Sequence, residues 1–112
     1  MEMLAKTEGN IRIISVLDKR IDAPAAVLFK ETMRNLTQNA PREVVLDLSE
    51  VVFIDSSGLG AIVAIMKTLS PDHRFTLAGL TPAVEKVFRL TRMDTVFRIF
   101  MTIEEALDAE WS

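Results

Sequence analysis

The sequence predicts an α/β domain with a central, mostly parallel sheet and about four helices. Short β-branched segments alternate along the chain with segments that have helical apolar periodicity. The run Val44-Val45-Leu46 is apolar at consecutive positions, as in a strand covered on both faces. Two strand-like segments precede the first helix, so a hairpin would add an antiparallel strand at the edge. We therefore expect a mixed sheet with right-handed crossovers.

The N-terminal third is predicted to form the hairpin and one helix. Residues 11–17 are rich in β-branched side chains and predict a strand, with residues 4–7 as its antiparallel partner. Asp22 precedes Ala23 and Pro24, and an aspartate followed by proline in the first turn is typical of a helix start. Apolar residues at helical spacing extend this predicted helix over residues 23–38.

The remainder of the chain repeats the alternation of strand and helix. The predicted elements are a strand at 43–48, a helix capped by Asp55 or Ser56 and running to about 69, a strand at 74–79, a helix opening at Thr81-Pro82, a strand at 96–100, and a last helix to about 109. Thr102 and Glu105 have capping-box spacing before the last helix.

Composition limits the classes of function. A length of 112 residues fits one domain, residues 1–112. A net charge of −3 argues against a basic nucleic-acid-binding face, and the lack of cysteine excludes disulfide and thiol chemistry. The N-terminus lacks a signal-peptide core, and the apolar run at 59–66 is shorter than the roughly 20 residues of a membrane span. We expect a cytoplasmic protein without membrane insertion, and docking on a membrane-bound partner stays open.

Asp55-Ser56-Ser57-Gly58, between an apolar segment and a helix, is the candidate site. One interpretation is a helix N-cap and nothing more, because Asp and Ser are favoured caps. The alternative is a phosphate position, because the first helical amides are unpaired and the helix dipole is positive there. Either serine could carry the phosphate. One cap is enough for a helix, and three oxygen-bearing side chains occur here.

The helix after this motif is apolar on more faces than one sheet can cover. We predict that the inner face consists of Leu59, Ile62, Val63 and Met66. The second face would bind a partner, and its predicted residues are Gly58, Gly60, Ala61 and Ile65. Glycine early in a helix costs up to about 1 kcal/mol relative to alanine, so the two glycines indicate close approach of the backbone to the sheet or to a partner.

Other chemistries have little support in the sequence. The single histidine, His73, follows a helix of about 18 Å that begins near Ser57, so a Ser–His nucleophile is not expected and His73 is expected at the surface. No metal-ligand spacing and no nucleotide-binding glycine loop occur, so we expect no catalytic residue, metal or cofactor. Asp47 lacks the acidic pair and lysine of a receiver domain and is interpreted as a polar residue that closes a strand. Trp111 is assigned no role.

The segment 46–60 resembles the signature of STAS domains, in particular that of bacterial anti-sigma factor antagonists. The element order fits this family from about residue 4 to residue 109. Ile21-Asp22 before a helix also resembles the family's early Leu-Asp motif. Lys19 stands where that motif usually has glycine, which puts the conformation of this turn in question.

The resemblance implies a phosphorylation switch that acts in transcription regulation and signal transduction by partner switching. In such antagonists the serine before the first glycine, here Ser57, is phosphorylated by a partner that is both kinase and anti-sigma factor. The unphosphorylated form binds that ATP-binding partner and frees the sigma factor, and a phosphatase restores it. The chain would be a substrate and not an enzyme. We expect Ser56 to be the cap, with its oxygen turned to the helix amides, and Ser57 to point outward.

Two other roles within the family stay open. The chain could be a STAS accessory subunit of a lipid-transport ABC complex, or a scaffold module of a signalling assembly. A weak homodimer is a further alternative. The intact motif from Asp55 to Gly58 favours the antagonist.

Overall fold

A five-stranded mixed sheet organises the chain, as the sequence predicts. The structure is a computed structural model and describes residues 1–109, so Trp111 lies outside the described residues. The strands are β1 (Met3–Glu8), β2 (Ile11–Val16), β3 (Arg20–Ile21), β4 (Glu43–Asp47), β5 (Phe53–Ile54), β6 (Arg74–Ala78) and β7 (Arg98–Phe100). The helices are α1 (Ala23–Leu36), α2 (Ser56–Leu69), α3 (Pro82–Leu90) and α4 (Ile103–Asp108), and a 3₁₀ turn at Met93–Thr95 follows α3.

The main sheet has the order β1-β2-β4-β6-β7. β1 and β2 form the predicted antiparallel hairpin, which turns at Gly9 with a φ of 58°. The other neighbours, β2–β4, β4–β6 and β6–β7, are parallel. The mixed sheet and its edge hairpin are therefore confirmed.

Helices cover both faces of the central strands. Val44 and Leu46 belong to the larger apolar cluster, together with side chains of α1, α2 and α3. Val45 points to the other face and packs in a smaller cluster with Ala106 of α4. Val44, Val45 and Leu46 are all fully buried, which confirms the prediction that this strand is covered on both faces.

A second, two-stranded sheet pairs β3 with β5 in parallel, and the sequence did not predict it. Arg20 pairs with Phe53 and Ile21 with Ile54. β3 leads directly into α1 and β5 leads directly into α2, so this small sheet sets the two helix starts side by side. Strands of two residues are too short to show a periodic pattern.

The turn before β3 tolerates lysine in place of the glycine of the family motif. The carbonyl oxygen of Lys19 accepts hydrogen bonds from the backbone N–H groups of Val52 (2.8 Å) and Phe53 (3.2 Å). Among the described residues, the non-glycine positions with positive φ are Asn39 and Arg92, so Lys19 has an ordinary backbone conformation.

Arg12 connects the hairpin to the end of α1. Its Nη1 atom donates to the carbonyl oxygens of Leu36 and Gln38, both at 3.0 Å, and its Nε donates to Thr7 Oγ1 at 3.1 Å. A cation at a helix C-terminus satisfies the last carbonyls and interacts favourably with the dipole. The helix ends at Leu36 and not at residue 38 as predicted.

No helix in the described residues is long and apolar enough to cross a membrane.

Candidate functional site

Asp55 is the N-cap of α2, and the predicted capping role of Ser56 is wrong. The backbone of Asp55 is extended (φ −105°, ψ −174°), and its Oδ1 accepts the N–H of Gly58 at 2.9 Å. Ser56 is already the first residue of the helix. The cap must come from the last extended residue, whose side chain can turn back to the first-turn amides.

The same carboxylate reaches the neighbouring helix. Oδ2 of Asp55 accepts the N–H of Ala23, the first residue of α1, at 3.2 Å. The backbone N–H of Asp55 also donates to the carbonyl of Ile21 at 3.4 Å. Asp22 caps α1, because its Oδ1 accepts the N–H of Ala25 at 3.3 Å. Asp55 therefore bridges the N-termini of α1 and α2.

One short repeat in the sequence corresponds to this arrangement. The dipeptide Ile-Asp occurs before both helices, as Ile21-Asp22 and Ile54-Asp55. Ile21 and Ile54 are paired residues of β3 and β5 and are both buried. The repeat thus marks two equivalent helix starts.

Gly58 lies where α2 comes closest to β3. A Cβ atom at this position would collide with the carbonyl oxygen of Ile21 and would lie 2.9 Å from Cγ1 of Ile54. The predicted close approach of the backbone is confirmed at Gly58. No such approach is found at Gly60, where a Cβ would have no atom of the described residues within 4 Å.

Ser56 and Ser57 are both exposed in the first turn of α2. Within residues 1–109, neither hydroxyl has a hydrogen-bond partner, and their backbone N–H groups have no acceptor. These free amides lie at the positive end of the helix dipole, where a phosphate group is well tolerated.

The buried face of α2 differs from the predicted one. Its buried residues are Gly58, Ala61, Ile62, Ile65 and Leu69. The inward position of Ile62 is confirmed, and Leu59, Val63 and Met66 are half-buried and pack against the same core. The expectation that Gly58, Ala61 and Ile65 lie on the outer face is wrong. Ala61 is 3% exposed and Ile65 is 4% exposed. The physical reason is that α2 lies against both α1 and β3, so Ala61 and Ile65 join the apolar cluster that contains Phe29 and Met33 of α1.

The outer face of α2 is defined here by its exposed residues and one half-buried one. It consists of Ser56, Ser57, Gly60, Ala64, Lys67 and Thr68, of which Ala64 is half-buried. Small side chains dominate the half of this face that is nearest to Ser57.

The other candidate residues have structural roles. Asp47 is buried at the end of β4 and accepts hydrogen bonds from Ser15 Oγ and the Ser49 N–H, both at 3.0 Å, which confirms its interpretation as a strand-closing residue. The N–H of His73 bonds the carbonyl of Leu69, at the end of α2 opposite to Ser57. His73 is half-buried, and its Nδ1 lies 2.8 Å from the carbonyl oxygen of Pro41, so it holds two loops together and is not a plain surface residue. No group of three acidic or histidine side chains in the described part of the chain could hold a metal ion.

Known proteins resemble this chain in sequence. The model of the STAS domain matches residues 2–106. A Thermotoga maritima protein, provisionally named an anti-sigma factor antagonist, is 34% identical over 98 residues, which cover 86% of this chain and 87% of that protein. The anti-sigma-F factor antagonist RsfB of Mycobacterium tuberculosis is 28% identical over 87 residues, which cover 78% of this chain and 71% of RsfB.

A solved structure gives the same result for the fold. The crystal structure of an anti-sigma factor antagonist from Mycobacterium paratuberculosis superimposes with a TM-score of 0.85 at 26% identity, over 95% of this chain and 90% of that one. The matched region includes both strands of the small sheet and the motif from Asp55 to Gly58. The chain belongs to the STAS domain family.

Proposed function

We propose that this chain is an anti-sigma factor antagonist, a binding protein and not an enzyme, and that phosphorylation of Ser57 controls it. The observation that carries the proposal is the exposed, unpartnered hydroxyl of Ser57 in the first turn of α2. It stands at the position that carries the phosphate in the family motif. The names of the relatives support the same class of function.

The partner is a serine kinase that also acts as the anti-sigma factor. The unphosphorylated chain binds this partner in the cytoplasm and releases the sigma factor, and a serine phosphatase restores the bound form. A phosphoserine adds a charge of about −1.5 to −2. On the exposed Ser57, at the N-terminus of α2, this charge leaves the fold intact. Inside a tight interface with the partner, the same charge would be desolvated and unpaired. A difference of a few kcal/mol is enough to change the complex from mostly bound to mostly free.

The choice of Ser57 over Ser56 rests on the motif. Asp55 is the cap, so both hydroxyls are exposed and the capping argument no longer separates them. The surface that binds the partner moves with the corrected helix orientation. We assign it to the outer face of α2, including Gly60 and Ala64, and remove the buried residues Gly58, Ala61 and Ile65 from it.

Phosphopeptide mapping tests the acceptor residue. The purified chain is incubated with ATP and the kinase that co-purifies with it. Label on the wild type and on Ser56→Ala, with none on Ser57→Ala, is the expected result. Label that persists in Ser57→Ala and disappears in Ser56→Ala would show that the neighbouring serine is the acceptor.

Calorimetric titration of the same kinase tests the switch. Ser57→Ala is expected to bind like the unphosphorylated wild type, and Ser57→Asp to bind at least tenfold more weakly, because tenfold corresponds to about 1.4 kcal/mol of lost affinity. Equal affinities of the two variants would contradict an electrostatic switch. Co-purification of a membrane transporter in place of a kinase would indicate the accessory-subunit role.

A further inference from the structure

Asp55 connects the first turns of two helices through its two carboxylate oxygens. The three first-turn residues of α1 are Ala23, Pro24 and Ala25. Pro24 has no N–H, Asp22 accepts the N–H of Ala25, and Asp55 accepts the N–H of Ala23. The only first-turn amide of α1 that depends on another element is therefore the one bonded to Asp55.

Ser57 is two residues from Asp55, in the same turn of α2. The N–H of Gly58 follows Ser57 directly and is bonded to Asp55 Oδ1. A phosphate on Ser57 would compete for this N–H with oxygens that are stronger acceptors, and its charge would repel the carboxylate. Asp55 is half-buried between the two helix starts, so it has solvent into which it can turn.

We infer that Asp55 transmits the state of Ser57 to the N-terminus of α1. In the unphosphorylated chain the carboxylate holds Gly58 of α2 and Ala23 of α1 together. Phosphorylation displaces the carboxylate from both amides, and the Ala23 N–H becomes solvated. The surface that distinguishes the two states then includes the start of α1 as well as α2. This inference rests on the proposed phosphorylation of Ser57.

NMR of a chain that carries phosphoserine at position 57, introduced during translation, tests the connection without a kinase. Relative to the unmodified chain, the Ala23 amide resonance is expected to move upfield. Its exchange with water should become about three to ten times faster, the range that corresponds to one modest hydrogen bond. Ser57→Ala, which adds no charge, should leave this resonance unchanged. The amide of Leu46, buried in β4, reports that the fold is intact.

Two variants show whether Asp55 is the intermediary. Asp55→Asn keeps an oxygen for Gly58 but presents an NH₂ group to Ala23. In this variant the Ala23 amide resonance should already have the chemical shift that phosphorylation gives it in the wild type, and phosphoserine should not move it further. Asp55→Ser keeps a good cap that is too short to bond Ala23 and should behave in the same way. An unmoved Ala23 amide in the phosphorylated wild type, or a full phosphoserine effect in either variant, would overturn the inference. Kinase labelling of Ser57 is a separate measurement, so failure of one result does not imply failure of the other.

Discussion

At the scale of single residues, Gly58 and Gly60 differ although both lie in the first two turns of α2. A Cβ at Gly58 would collide with the main chain of β3, whereas a Cβ at Gly60 would have no atom of residues 1–109 within 4 Å. Gly58→Ala is expected to lower the free energy of unfolding by about 2 kcal/mol or more, the range for overpacking a rigid contact. Gly60→Ala is the matched control and should raise it by about 0.5 to 1 kcal/mol, because alanine is the better helix former.

Urea denaturation of the two glycine variants measures both changes. Similar stabilities for both variants would mean that the contact between α2 and β3 is not as close as described. The titration of the kinase adds a second result for Gly60→Ala. If Gly60→Ala is more stable but binds the kinase more weakly than the wild type, Gly60 belongs to the surface that binds the partner. If its affinity for the kinase is unchanged, Gly60 is not part of that surface.

At the scale of elements, helix α2 shows where sequence reasoning succeeds and where it fails. Its existence and its end at Leu69 follow from the cap chemistry and the apolar run, whereas the sequence did not decide between Asp55 and Ser56 as its cap. Its orientation does not, because apolar residues occupy nearly every position and no single face dominates. The large residues Leu59 and Met66 are half-buried, while small Ala61 is 3% exposed. Hydrophobicity alone cannot reveal that a contact requires small size.

Two alanines of α2 test the corrected orientation. Ala61→Arg is expected to destabilise the domain by more than about 3 kcal/mol, because it forces a charge into a contact that is 3% exposed. Ala64→Arg, on the half-buried outer face, should change stability by less than about 1 kcal/mol. Thermal melts followed by circular dichroism compare them. If Ala61→Arg is as stable as the wild type, Ala61 lies on the outer face of α2, as the sequence analysis predicted.

The end of α1 depends on Arg12, a residue of another element. Loss of its bonds to the carbonyl of Leu36, the last residue of α1, and to the carbonyl of Gln38 just beyond it in Arg12→Ala should lower the free energy of unfolding by about 1 to 2 kcal/mol. Arg34 is a matched control, because it is a cation in the last turn of the same helix but is exposed. Arg34→Ala should cost less than about 0.5 kcal/mol. Equal losses in urea denaturation would mean that only the charge near the helix end matters.

At the scale of the whole molecule, the main sheet was predictable and the small sheet was not. Alternation of strands and helices, together with right-handed crossovers, predicts a parallel sheet and leaves few possible topologies. The pairing of β3 with β5 joins dipeptides that are 33 positions apart, so local patterns cannot show it. For this reason the resemblance to STAS domains indicated Ser57, but the bridge from Asp55 to Ala23 emerged only from the structure.

Phosphorylation is expected to change binding and not folding. Ser57 lies at a helix N-terminus, beside the N-terminus of α1, so two dipoles favour an anion and offset its repulsion by Asp55. The chain with phosphoserine at position 57 should therefore unfold within about 1 kcal/mol of the unmodified chain. Calorimetric melts of both forms give this difference. A loss above about 2 kcal/mol would mean that the phosphate acts by unfolding the site.

The contact of Gly58 with the carbonyl of Ile21 also has a genetic consequence. The atom that a larger residue would strike belongs to the main chain, and every amino acid at position 21 carries it. No substitution there can make room, so a selection for revertants of Gly58→Ala should return true reversion or mutations elsewhere that raise overall stability. No substitution at position 21 can therefore compensate for a larger residue at position 58. We expect position 58 to accept only glycine, and accepted substitutions near this site to fall on the exposed surface around it.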